Sequence, residues 1–268
     1  MDNIPLVTFV TINKNNANGL KKTLDSFVNQ SNKSFDVIIV DGASVDNSLE
    51  VINEYSDIIS LHLSEQDSGI YDAMNKGLAY VKTEYVYYLN SGDYLYDKDV
   101  FKILVSSLDP SLDAVYGNIA FMAESGLNFN KPSKKINLKK GYEHALPYQP
   151  ALLLRKILLD KVGGFPLEYK YISDVVVIFK IFHDYDIIYR YIDTPFCLFD
   201  LSGVSGGLKN QKKIYKERLN FLKKDYPQYK KQFAAQYKFR FWVIYYIRLL
   251  LSKISICNYF FCIIFHGL

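Results

Sequence analysis

Over the first ninety positions the apolar residues come in short continuous runs. Residues 6–12, 35–40, 58–63 and 85–89 are each dominated by Val, Ile, Leu, Phe or Tyr and bounded by Asn, Lys, Asp or Gly. Runs of this kind, rich in β-branched and aromatic side chains, predict strands buried on both faces. Between them the apolar positions recur at helical spacing. Leu20, Leu24, Phe27 and Val28 follow Asn18-Gly19, residues 46–55 are entered through Asp46-Asn47-Ser48, and residues 70–81 form a third helical stretch. Strands alternating with helices predict an α/β fold: a mostly parallel, doubly wound sheet flanked by helices, with right-handed crossovers. Ligands on such sheets lie at the carboxyl ends of the strands, where Thr11, Asp41, residues 64–67 and residues 90–93 fall.

Beyond residue 109 the signal thins. Residues 114–120 and 187–191 predict strands, residues 128–141 a polar, Lys-rich loop, and residues 152–162 a helix that stops at Gly163-Gly164. Residues 173–182 predict a short apolar helix opening with Ser173-Asp174. From Lys209 the chain is rich in Lys, Tyr and Gln, and it then becomes apolar and aromatic, interrupted by Arg248 and Lys253. No run there approaches the ~18 apolar residues of a spanning helix. The pattern fits a helix lying in a membrane interface, or one docked on the catalytic domain or on a partner subunit. The expected organisation is a domain over residues 1–208 and a C-terminal basic, apolar helical tail over residues 209–268, which contacts a membrane surface.

A chain of 268 residues with 49% hydrophobic content supports one sizeable α/β domain and an appendage. The net charge of +4 gives no broad basic footprint, so nucleic acid is not an expected partner. Cys197, Cys257 and Cys262 form neither a disulfide framework nor a zinc spacing, and His62, His144, His183 and His266 are scattered. A reducing compartment fits, and the N-terminus carries no charged-then-apolar leader pattern, so the expected location is the cytoplasm, at the inner face of the plasma membrane. Neither a Walker A loop nor a Gly-x-Gly-x-x-Gly fingerprint follows the first strand, which speaks against a P-loop enzyme or a nicotinamide-dependent dehydrogenase.

The candidate chemistry lies in carboxylates paired with glycines after consecutive strands: Asp41-Gly42, Asp67-Ser68-Gly69 and Gly92-Asp93. A carboxylate at a strand end can accept from ribose hydroxyls or a base N–H, and glycine admits close approach of a ligand. Each pair alone is also common turn chemistry; their recurrence at one sheet edge points to a nucleotide site.

Over residues 6–205 the chain resembles the inverting, GT-A-fold glycosyltransferases of family 2. The matching pieces are Thr11-Ile12-Asn13, residues 40–46, residues 67–77 (Asp67 to Gly77) and Leu89-Asn90-Ser91-Gly92-Asp93. The resemblance implies that Thr11, Asn13, Asp41, Ser44, Asp46, Asp67, Gly69, Asn75, Lys76, Asn90 and Gly92 bind a nucleotide-sugar. It implies that Asp93 holds Mn2+ or Mg2+ against the donor diphosphate. A hard cation bound through a carboxylate and phosphate oxygens suits that role. Ser91 stands where the family often has an Asp.

Gly163-Gly164-Phe165-Pro166 followed by Tyr171-Ile172-Ser173-Asp174 resembles the segment ending in the family's catalytic acid residue. Asp174 is therefore expected to be the base, with Val175-Val176 replacing more polar neighbours; an Asp here would equally serve as a helix cap. Tyr148 and Gln149 resemble the acceptor-side segment, with Tyr148 in place of a His, and residues 203–207 resemble a mobile loop over the diphosphate. The implied reaction moves a hexose, glucose or galactose, from a UDP-sugar to a lipid-linked saccharide acceptor or growing polysaccharide during assembly of the bacterial surface. Two rivals remain: a sugar nucleotidyltransferase, whose Gly-rich phosphate loop Asn13-Lys14-Asn15-Asn16 does not supply, and a non-catalytic scaffold that keeps the fold and binds sugar or membrane.

Overall fold

The structure, a computed structural model, describes residues 5–123, 126–136, 138, 146–200, 210–231 and 233–235. The first half follows the strand–helix alternation: β1 (Val7–Asn13), α1 (Ala17–Val28), β2 (Asp36–Asp41), α2 (Ser48–Glu54), β3 (Leu61–Ser64), α3 (Ile70–Tyr80) and β4 (Tyr85–Tyr88). β1 pairs in parallel with both β2 and β4, and β2 in parallel with β3. The second half holds β5 (Tyr94–Leu95), α4 (Val100–Ser106), β6 (Ala114–Ala123), β7 (Gly126–Asn130), a 3-10 turn (Gln149–Ala151), β8 (Leu152–Arg155), α5 (Lys156–Lys161), α6 (Ser173–Asp184), β9 (Tyr189–Phe199) and α7 (Gln211–Asp225).

The strands form one sheet in the order β3-β2-β1-β4-β8-β6-β9-β5, with β7 paired to β6. Parallel pairing covers β3 to β4 and returns between β6 and β9, whereas β8 is antiparallel to both of its neighbours. The expected α/β fold is thus present, with a mixed second half.

Alternate side chains of each buried strand feed two cores. From β1, Val7 and Phe9 join α1, α2 and α4 on one face, through Leu24, Phe27, Ile52 and Phe101. Val10 and Ile12 join α3, α5, α6 and α7 on the other, through Met74, Leu78, Leu159 and Phe179. This two-sided burial explains why the strands read as continuous apolar runs.

Three expectations are corrected. Residues 152–155 are a strand rather than the start of a helix, and only residues 156–161 are helical in that stretch. Leu152 and Leu154 enter one core and Leu153 the other, so the run carries no period that separates strand from helix. β7 takes up residues expected to be loop, and β9 extends well past residue 191, because both pair with β6. β5 and α4 had no strong sequence signal.

α7 lies in the segment read as the tail, yet its apolar side shares a core with α6. Phe221 is fully buried, with ring centroids 5.6 Å from Phe179 and 6.0 Å from Tyr169. Among the described residues no helix is long and apolar enough to cross a membrane. The remainder of the tail from residue 236, the loop over residues 203–207, and Cys257, Cys262, His144 and His266 lie outside the described residues.

If α7 is integral to the domain, Phe221→Ala should cost about 3–5 kcal/mol, read as a lower urea midpoint in a single cooperative transition. A second, separate transition for this region would count against a shared core.

Candidate active site at the carboxyl ends of the strands

Asp41 ends β2 with no exposed surface. Its Oδ1 accepts from Asn13 Nδ2 (2.8 Å) and Ser44 Oγ (2.5 Å), and its Oδ2 from the Ser44 amide (2.8 Å) and Ser64 Oγ (2.9 Å). Burial alone would raise the pKa of this carboxyl. The hydrogen bonds from Ser44, Asn13 and Ser64 outweigh it and hold the group below the usual carboxylate value. Asp41 thereby ties the ends of β1, β2 and β3 together.

The loops after β1 and β2 are laced to each other. The Asn15 amide donates to Ser44 Oγ (2.7 Å), and Val45 N donates to Asn15 Oδ1 (2.8 Å). Asp46 accepts from the first amide of α1, Ala17 N (2.9 Å), and from Ser48 Oγ (2.5 Å). Asn13, Ser44 and Asp46 are thus brought together as expected, with their side chains largely engaged in bracing.

Asp67 reaches this cluster from the β3–α3 loop. Lys14 Nζ lies 3.5 Å from its Oδ1, and the Gly69 amide donates to the same oxygen (3.0 Å). Its other oxygen sits against Gly42, where a Cβ would come within 2.0 Å of it. Gly42 is therefore the residue that lets a carboxylate from the third strand reach the second.

Thr11 is fully buried, on the side of β1 that carries Phe9 toward α1. Among the described residues, Thr11 Oγ1, Asn13 Oδ1 and Asn90 Oδ1 are buried without a hydrogen-bond partner. Unmet polar atoms of this kind cost free energy unless water or a ligand meets them. Their position at the ends of β1 and β4 puts that unmet capacity at the sheet edge where Asp41 and Asp67 converge.

After β4, Ser91 and Asn16 bracket each other: Asn16 Nδ2 donates to the Ser91 carbonyl and Ser91 Oγ to the Asn16 carbonyl, both at 3.2 Å. Ser91 is thus committed to structure. Asp93 is only 4% exposed, and its Oδ1 accepts the Asp200 amide at 2.8 Å. Burial pushes its pKa up to about 7, opposed by that amide and reinforced by the Asp200 charge. The Asp200 carboxylate leans over Gly92, within 2.9 Å of where a Cβ would stand.

Two carboxylates, one in the loop between β4 and β5 and one just past β9, therefore lie close to each other. Among the described residues no group of three or more His, Cys, Asp or Glu side chains is placed to hold a metal. Two carboxylates are what a Mg2+ or Mn2+ ion shared with a substrate diphosphate needs, so the residues present fit such an ion. Asp200 had no place in the sequence reading; its only signal is that it closes a strand.

Asp174 stands in the first turn of α6, half-buried, and accepts a hydrogen bond from Tyr71 Oη at 2.7 Å. Burial pushes the Asp174 carboxyl up; the Tyr71 hydroxyl, the Val175 amide and the charge of Arg218 oppose it. Tyr71 is itself buried beside this carboxylate, which keeps its hydroxyl protonated. The Tyr71 ring stacks on Phe165 (6.0 Å), which meets Tyr88 edge-on (5.1 Å). Gln149 Nε2 donates to the Tyr88 carbonyl (2.7 Å), so the acceptor-side segments connect through this aromatic row. Tyr148 is half-buried against the other core, its hydroxyl pushed up to about 12 by burial.

Asn75 and Lys76 serve α3. Asn75 exchanges two hydrogen bonds with the Phe165 backbone (2.7 and 2.8 Å), and Lys76 Nζ bonds the Gln66 carbonyl (2.6 Å) and Glu65 (2.8 Å). Lys76 also feels the charge of Asp67.

A doubly wound sheet with this strand order and its polar side chains gathered at the strand ends defines a GT-A-type glycosyltransferase. The chain belongs to glycosyl transferase family 2, whose family model matches residues 8–164. It is 25% identical over 215 residues to a PGL/p-HBAD biosynthesis glycosyltransferase of Mycobacterium bovis, covering 77% of this chain and 80% of that one.

Two solved structures share the fold. S. aureus TarS 1–349 in complex with UDP aligns with a TM-score of 0.59 and 18% identity, over 72% of this chain; this chain spans 60% of that one. The mannosyltransferase PcManGT of Pyrobaculum calidifontis, solved with GDP-Man and Mn2+, aligns with a TM-score of 0.59 and 19% identity, over 87% of this chain and 69% of that one.

Two outcomes follow. If the strand-end cluster holds a nucleotide, Gly42→Ala should displace Asp67 and weaken nucleotide binding by roughly 10-fold or more, as a misplaced ligand-binding group does; unchanged calorimetric affinity would count against a nucleotide at Asp67. The Asp93 carboxyl, held near pH 7 against 3.8 when unperturbed, keeps a proton that the unfolded chain has released. Its contribution to stability is therefore complete below about pH 4 and is lost as the pH rises to about 7. The thermal midpoint of Asp93→Asn should fall less than the parent's across that window, and Mn2+ at pH 7.5 should raise the parent alone.

Proposed function

We propose that the chain transfers a hexose from a UDP-sugar, with inversion, to a hydroxyl of a lipid-linked or growing polysaccharide acceptor at the cytoplasmic face of a membrane. The observation carrying this reading is the start of α3. On one side it presents Asp67 and Gly69 to the Asp41 cluster, and on the other Tyr71 holds Asp174. A donor bound among the strand-end carboxylates would thus lie beside a base held by the same turn of helix.

Asn13, Asp41 and Asp67 would shape the nucleoside site, with Ser44 and Asp46 fixing the two loops that form its walls. The domain over residues 1–208 would carry this chemistry and the tail the membrane contact. Asp93 and Asp200 would hold a Mn2+ or Mg2+ ion, which supplies positive charge to the leaving diphosphate. The neighbours seen with UDP, or with GDP-Man and Mn2+, support the donor class.

At the acceptor, the hydroxyl oxygen forms a bond to the anomeric carbon from the face opposite the diphosphate. The proton of that hydroxyl passes to Asp174, and the carbon–oxygen bond to the diphosphate breaks with its electron pair, releasing UDP. Burial brings the basicity of Asp174 closer to the working pH, which favours proton transfer. Tyr71 restrains the rise and fixes the carboxylate's direction.

Asp174→Asn should keep UDP affinity and lose roughly 100-fold or more of turnover, the range of a general base. Tyr71→Phe removes a hydrogen bond that lowers the Asp174 pKa, so the acid limb of kcat should move to higher pH. Full turnover by Asp174→Asn, measured as UDP release from a panel of UDP-hexoses with an acceptor, would reject the base. No affinity for any nucleotide-sugar would reject the enzyme reading in favour of a scaffold.

A further inference from the structure

α7 packs against the segment that carries the candidate base. Glu217 accepts two consecutive backbone amides, Lys170 N on Oε1 (2.9 Å) and Tyr171 N on Oε2 (2.8 Å). Those amides lie in the loop that leads directly into α6, three and four residues before Asp174. Lys213, one helical turn earlier, brings Nζ to 3.3 Å from Tyr171 Oη and sits over the same ring at 5.7 Å. Phe221, one turn later, packs on Tyr169 and on Phe179 of α6. Arg218, next to Glu217, acts electrostatically on Asp174, and the charge of Glu217 acts on Tyr71. The groups facing the Asp174–Tyr71 pair are thus Tyr71 from α3, Glu217 and Arg218 from α7, and the Val175 amide of its own helix.

The two halves of this arrangement have different chemistry. A carboxylate accepting two adjacent amides is a charge-assisted, two-point contact that fixes a backbone direction. A guanidinium keeps its charge at any working pH and balances a nearby carboxylate. Both come from one turn of a helix whose apolar side is anchored in the core beneath α6, so the clamp rests on a rigid base.

We propose that α7 is the positioning element of the transferase base, with Glu217 holding the Lys170–Tyr171 backbone and Arg218 balancing charge so that Asp174 meets the acceptor hydroxyl in one orientation. The proposal rests on the reading of Asp174 as the base. It extends the catalytic unit beyond residue 208, into the segment read from the sequence as a tail.

The test uses the full chain and compares Glu217→Ala, Glu217→Gln, Arg218→Gln and Asp174→Asn. Each is measured for UDP affinity by calorimetry, for kcat and acceptor KM, for the pH profile of kcat, and for thermal midpoint. Glu217→Ala should lose roughly 10- to 100-fold in kcat, the scale of a misplaced reacting group, while UDP affinity stays within about two-fold. Glu217→Gln, which retains one acceptor oxygen, should fall between it and the parent.

Arg218→Gln removes a charge that lowers the Asp174 pKa, so its acid limb should move to higher pH without loss of UDP affinity. If Glu217→Ala does not fold, the kcat of Glu217→Gln, which keeps the side chain's shape, decides in its place. Parent-like kcat in Glu217→Ala together with an unmoved acid limb in Arg218→Gln would overturn the proposal. So would a fall in UDP affinity, kcat and thermal midpoint by the same measure, which marks a structural part only. An active Asp174→Asn would overturn the base reading, and the proposal with it, whereas an inactive Asp174→Asn beside parent-like Glu217 and Arg218 variants would overturn the proposal alone.

Discussion

The carboxylate of Asp41 is the joint on which the carboxyl ends of the first three strands depend. It has no exposed surface, and a buried, ionised group survives only if its oxygens are met by donors. Four hydrogen bonds meet them, from the end of β1, from the loop after β2 and from the end of β3. Three strands that would otherwise end in independent loops are thereby held in common register at their carboxyl ends. The same hydrogen bonds orient Ser44, whose hydroxyl receives the Asn15 amide, so the wall contributed by β1 depends on the same joint.

Around that joint the fold works as two faces of one sheet. The side toward α1, α2 and α4 is closed and aromatic: Phe9, Phe27, Phe35 and Phe101 meet with ring centroids 4.7 to 5.8 Å apart. The side toward α3 and α6 carries Asp174. There α3 links separate parts of the candidate site, with Asp67 bonded just ahead of its start, Asp174 held through Tyr71 and the Phe165 backbone through Asn75. Side chains within one short motif thus face different tasks, and a helix start is a stiff place to set the spacing between them.

The first half of this architecture was legible because its physics is local. Continuous apolar runs, helical spacing and Asp-Gly pairs at strand ends sufficed to place β1 to β4 and α1 to α3, and with them Asp41, Asp67 and Asp93. The second half was not, for two reasons. A strand such as β8, buried on both faces and four residues long, has no period of its own, so Leu152 to Leu154 read as helix. Further, the partners that matter there are far apart in sequence: Tyr71 and Asp174, Asp93 and Asp200, Tyr171 and Glu217. No spacing rule reaches across such distances, and α7, whose hydrophobic residues are outnumbered by Lys and Asn, resembled a solvated tail until its apolar side was seen against Phe179. Asn75 and Lys76 were placed on α3 by a recognisable motif, whereas their partners, the Phe165 backbone and the loop after β3, could be found only in the folded chain.

The contact between Glu217 and the backbone ahead of α6 also sets an order of events during synthesis. The chain emerges from its N-terminus, and domains generally acquire their contacts in that direction. Every partner of the Asp41 joint has been made by residue 64, so the nucleotide edge has its components early. Asp174 is made roughly 40 residues before Glu217, an interval of a few seconds at ordinary elongation rates. Throughout that interval the segment carrying the carboxylate exists without the helix that fastens it. Maturation of the two sides of the crevice is therefore staggered in time, the Asp41 edge first and the Asp174 edge last.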